Sequence, residues 1–137
     1  MQKTIGLFAL LLCSCSINAQ FDGAIASPEL LSQAQVDAVV GCAEQHGYQN
    51  LGSLYVELAP DLGMLAITDS AYQVRMRLTD GQGKELLPVT RMGLLSHELI
   101  QHVDSFARGG DGNADERGYS EAKEDVVTDC ALAALGE

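Results

Sequence analysis

Apolar side chains recur at helical spacing in three stretches of the chain, and between the first two they alternate with polar ones. Leu30, Leu31, Ala34, Val36, Val39, Val40 and Ala43 trace the apolar side of a helix over about residues 28–46. Ser27 is its predicted N-cap, with Pro28 at the first helical position. Tyr55 to Leu58 reads as a short strand halted at Pro60, followed by strands at Met64 to Thr68 and Tyr72 to Leu78. The last of these sets Tyr72, Val74, Met76 and Leu78 against Gln73, Arg75, Arg77 and Thr79. After the Asp80-Gly81-Gln82-Gly83 turn, Leu86 to Thr90 is expected to return as an edge strand, since Pro88 cannot donate to a ladder. Helical spacing resumes from Met92 to Arg108, stops at Gly109-Gly110, and returns from about Tyr119 to Leu135. This order predicts an α+β domain with an N-terminal helix, a small antiparallel sheet of three to four strands, then two helices.

On a 100° wheel, Leu95, Leu99, Ile100, Val103, Phe106 and Ala107 fill one arc of the second helix. His97, Glu98, Gln101, His102, Asp104, Ser105 and Arg108 fill the other.

The first nineteen residues have a different pattern. Lys3, an apolar run from Leu7 to Leu12 and the small-residue site Ile17-Asn18-Ala19 predict a signal peptide over residues 1–19, leaving residues 20–137 as one domain. Leu12-Cys13-Ser14-Cys15 also permits lipoprotein processing, with a lipid anchor at Cys15. Either route predicts an exported protein, periplasmic or secreted, and no later apolar run is long enough to span a bilayer. Cleavage at Ala19 leaves two cysteines, Cys42 and Cys130, in helices at opposite ends of the domain; in an oxidising compartment a helix-to-helix disulfide is expected. Eight Lys and Arg stand against nineteen Asp and Glu, a net charge of −11. Losing Lys3 makes the balance more acidic still, which argues against nucleic acid or an anionic membrane surface as partner.

The polar arc of the second helix carries the candidate chemistry. A catalytic zinc needs three protein ligands, an open position for water and a carboxylate to take its proton. Two side chains four apart on a helix differ by about 40° and can share one ion; five apart, they differ by about 140°. His97 stands four before Gln101 and five before His102. A π-bulge would align His97 with His102; without one, the aligned residue is Gln101, a neutral amide and a poor zinc ligand. Asp111-Gly112-Asn113-Ala114-Asp115 suggests a calcium loop, but Glu116 and Ala122 stand where glycine and a bidentate glutamate are required.

Leu94-Leu95-Ser96-His97-Glu98-Leu99 on one helix and Ser120-Glu121-Ala122-Lys123-Glu124-Asp125 opening the next resemble the zincin metallopeptidases, most closely the thermolysin-like gluzincin branch. The resemblance covers about residues 54–135 by element order and about eight residues by motif. It implies His97 as first zinc ligand, Glu98 as general base, Glu121 as third ligand and Asp125 as the carboxylate orienting His97. Counted without a gap, the second ligand position falls on Gln101, where the family has histidine. Zinc hydrolysis of an extended peptide adding to the sheet edge is the expected activity if the site is intact. The alternative is an exported binding or inhibitor domain with no metal.

Overall fold

The computed structural model describes residues 23–48, 53–113 and 121–137. The predicted signal peptide, its expected cleavage site and Cys15 lie outside the described residues. The elements are β1 (Ile25–Ala26), α1 (Gln33–Gln45), β2 (Tyr55–Leu58), β3 (Ala66–Ser70), β4 (Gln73–Met76), α2 (Pro88–Glu98), a π-helical turn (Leu99–Val103), α3 (Asp104–Ala107) and α4 (Glu121–Ala134). The α+β class and the order of helix, strands and helices agree with the sequence pattern. No helix among the described residues is long and apolar enough to cross a membrane.

The strands form one sheet in the order β1-β2-β4-β3. The sheet is mixed rather than antiparallel: β1–β2 and β2–β4 run parallel, and only β3–β4 is antiparallel. The physical reason is connectivity. The chain passes from β1 through α1 to β2, a crossover that leaves its strands parallel. After β2 the chain skips a place before the β3–β4 hairpin folds back, so β4 enters beside β2 in the same direction and β3 is left at the edge.

Alternation then sorts the two faces. Val56, Val74 and Met76 are fully buried on the side that faces the helices. Gln73 and Arg75 keep to the open side, where Gln73 Nε2 donates to Glu57 Oε1 and Arg75 pairs with Asp69. Val36, Val39 and Ala43 of α1 and Met92, Leu95 and Leu99 from α2 and the π turn complete the core.

Two helix starts differ from expectation. Ser27 does not cap α1; its Oγ accepts the Leu58 N–H at 3.0 Å and so closes β1 onto β2. The cap is Ser32, which forms a reciprocal capping box with Gln35, and α1 begins at Gln33. Leu86 to Thr90 is not a return strand, because Pro88 opens α2, preceded by Leu87 in an extended conformation (ψ 150°). Buried Arg91 secures that first turn by donating to the carbonyls of Leu30 and Leu86.

Helix α4 packs on α1 and α2, yet it buries only Val127 and Ala131. The Cys42–Cys130 disulfide ties it to α1, as the sequence predicts.

Candidate metal centre

Residues from α2 through α3 follow one continuous right-handed helical path, with αR angles at Glu98, Leu99, Val103 and Asp104. Within it the Asp104 N–H bonds the Leu99 carbonyl, a five-residue closure that marks the π turn. The extra residue shifts everything after it by about 100° on the wheel. Asp104, assigned by the sequence to the polar arc, is therefore fully buried, and Ser105 is nearly so. Asp104 finds its counter-charge one turn on, where Arg108 Nε contacts both of its carboxylate oxygens at 3.0 Å.

The same shift brings His102 over His97. Their ring centroids lie 5.7 Å apart, edge to face. His97, Glu98 and His102 each offer a ligand atom within 4.8 Å of the others, and they are the group of this kind among the described residues. Gln101, at the second ligand position by the ungapped count, lies within the π turn and is half-buried.

Each imidazole is oriented from behind. His97 Nδ1 lies 2.7 Å from Glu124 Oε2, and His102 Nδ1 lies 2.6 Å from the Gly112 carbonyl oxygen. Both partners can only accept, so Nδ1 carries the proton in each ring, and the lone pair of the neutral imidazole is on Nε2. This is the arrangement of metal-ligating histidines, in which the far nitrogen donates to a carboxylate or carbonyl. The zincin resemblance implied Asp125 as the partner of His97; the structure gives that contact to Glu124. Glu124 shares the inward face of α4 with Val127, Thr128 and Ala131, whereas Asp125 is turned about 100° away and is exposed.

Glu98 is 4% exposed. Its Oε1 accepts a hydrogen bond from Thr68 Oγ1 at 2.8 Å, and its Oε2 lies 3.7 Å from His97 Nε2. Glu121 opens α4 one turn before Glu124, is exposed, and stands outside the His97–Glu98–His102 group. A groove of about 390 Å³ runs beside His97, between Gly93 and Leu94 of α2 and Glu124, Asp125 and Thr128 of α4.

Two anchored imidazoles with a carboxylate between them suit a borderline-soft divalent ion such as zinc. Thr68, Gly112 and Glu124 were not assigned roles from sequence. Gly112 had a signal, as a glycine in the loop that closes the helix, whereas Thr68 had none, because Met64-Leu65-Ala66-Ile67 is apolar on both faces of its strand.

No protein-family model, curated protein or solved structure matches the chain.

Because the extra residue is confined to one turn, deleting Gln101 should close the π turn into regular α-helix. His102 then follows His97 by four residues, and all later residues keep their places. A cooperative urea transition weakened by about 1 kcal/mol is expected, ordinary for a single change. Deleting Gly93 from the regular α2 instead rotates the buried face outward and should abolish the transition. Equal damage from the two deletions would contradict this account of the turn.

Proposed function

We propose that the chain is a small exported metallopeptidase-like domain, in which His97 and His102 hold a zinc ion and Glu98 is the general base. The observation that carries the proposal is the π turn that sets His102 over His97, with the Nδ1 of each ring already committed to an acceptor. Zinc bound there supplies a Lewis acid and lowers the pKa of its water to about 7. Glu98, with Oε2 on the side of His97 Nε2, takes the proton of the attacking water and passes it to the leaving amine. Glu124 and the Gly112 carbonyl keep the two rings in register. Glu121 is the third ligand in this proposal. It stands at three residues' spacing from Glu124, near the same face of α4.

The substrate is an extended peptide that adds to β3, the antiparallel edge strand lying against α2 and the π turn. Export is supported by the disulfide, which belongs to an oxidising compartment.

Metal analysis of the purified protein tests the proposal. One equivalent of zinc is expected, lost in His97→Ala and His102→Ala and weakened in Glu121→Ala. Glu98→Gln should keep the zinc and lose about 10²–10⁴-fold in hydrolysis of denatured casein. A protein that takes up no zinc and is indifferent to chelator would sink it.

A further inference from the structure

Side chains on β3 alternate between the open face of the sheet and the face covered by helices. Ala66 and Thr68 lie in register with Met76 and Val74, both fully buried, while Ile67 pairs with Arg75 on the open side. Position 68 thus faces the helices, where an aliphatic side chain is the usual filling. Its hydroxyl meets Glu98, donating to Oε1 at 2.8 Å.

The two oxygens of this buried carboxylate therefore have separate surroundings. Oε1 is tied to the sheet, and Oε2 lies by the histidine pair. Directly after Thr68 the ladder slips: Thr68 pairs with Val74 but Ser70 with Gln73, so Asp69 is an inserted residue. Such bulges re-aim neighbouring side chains and concentrate beside active sites. Here the bulge is clamped from the open face, where Arg75 donates to Asp69 through Nε at 2.7 Å and Nη2 at 3.1 Å. That hydrogen bond and the adjacent carboxylate charge raise the Arg75 pKa above its ordinary value.

We infer that Thr68 is the positioning residue of Glu98: its hydroxyl fixes the rotation of the carboxylate so that Oε2 faces the attacking water. This rests on the proposed metal-dependent function. It also links the peptide-binding edge to the base, since Thr68 belongs to the strand along which the substrate is proposed to lie. A terminal carboxylate torsion is soft on its own. With Thr68 removed, Glu98 keeps its place in the chain but loses the constraint on its plane.

Thr68→Val preserves shape and removes the hydroxyl, and cobalt(II) substituted for zinc reports on the site without relying on turnover. The variant should bind one cobalt with wild-type affinity, show shifted visible absorption bands, and lose about 10–100-fold in kcat on denatured casein with KM unchanged. Thr68→Ser should restore both the bands and kcat. In a Glu98→Gln background the valine substitution should change neither, because the two residues act as a unit. A Thr68→Val protein with wild-type bands and kcat overturns the inference while leaving the metal site standing. Loss of cobalt binding in both Thr68→Val and Thr68→Ser shows a purely structural role and also overturns it. A wild-type chain that binds no cobalt removes the metal site and the inference together.

Discussion

Replacing Cys42 and Cys130 together by alanine should lower the unfolding free energy by about 4–5 kcal/mol, the loop-entropy value for a bridge spanning 88 residues. Total stabilities of small domains run to about 5–15 kcal/mol, so this one change removes a large part of what holds the chain folded. The effect should not be spread evenly. Helix α4 buries only Val127 and Ala131, with Leu132 partly buried against the core, and side-chain hydrogen bonds such as Thr128 to Ser96 (2.9 Å) and Glu124 to His97 (2.7 Å) add to these ties. Without the bridge, α4 is the element expected to open first, taking from His97 the carboxylate that orients it. Hydrogen exchange should show it: amides of α4 exchange much faster in the reduced or double-alanine protein, while those of β2 and β4 change only with global stability. A midpoint shift worth less than about 1 kcal/mol would mean that packing alone secures α4.

Where residues act through local chemistry, the sequence is readable. Helical periodicity places α1, α2 and α4 within a few residues, and two cysteines in opposite helices of a one-domain chain imply their own pairing. Elsewhere a local signal fits two structures. Pro88 is as natural at the first turn of a helix as at a sheet edge, and what decides between them is tertiary: buried Arg91 ties that turn to the Leu30 carbonyl, sixty-one residues away. Ser27-Pro28 and Ser32 are both good helix starts, and the first is claimed by the Leu58 N–H of β2.

The candidate site is legible in the same partial way. His97 and His102 are five apart, which a regular helix separates and a π turn joins, so the pair can be identified from sequence but its alignment cannot. The misplaced Asp104 follows from that same turn: a wheel drawn at constant pitch puts it, and Ser105 after it, on the polar face although both are buried. The contact of Glu124 rather than Asp125 with His97 depends on which side of α4 faces inward. Only two of its residues are buried, so its sequence signals that side weakly.

Gly112 is the most demanding position in the support of the proposed metal centre, and Gly112→Ala should damage both fold and site. Its φ is +92°, and a Cβ there would lie 2.5 and 2.6 Å from ring atoms of Phe106. Strain from the backbone and from overpacking each has its own magnitude; together they are expected to cost about 2–4 kcal/mol. The site suffers because the same residue faces the helix through both backbone groups: its carbonyl accepts from His102 Nδ1 at 2.6 Å, and its N–H donates to Ser105 Oγ at 3.2 Å. Displacing the loop frees the His102 ring to rotate, for which a loss of about 10–100-fold in zinc affinity is expected. Gly109 supplies the control, with a φ of +87° and open space, free of other atoms to 4 Å, where a Cβ would stand. Gly109→Ala should cost only the backbone strain, about 1–2 kcal/mol, and leave zinc affinity near wild type. Urea denaturation and zinc competition on the two variants separate strain from displacement. Trimming the ring with Phe106→Leu should restore part of both losses in Gly112→Ala and none in Gly109→Ala. If the two alanine variants behaved alike, the loop would not be what holds His102 in place.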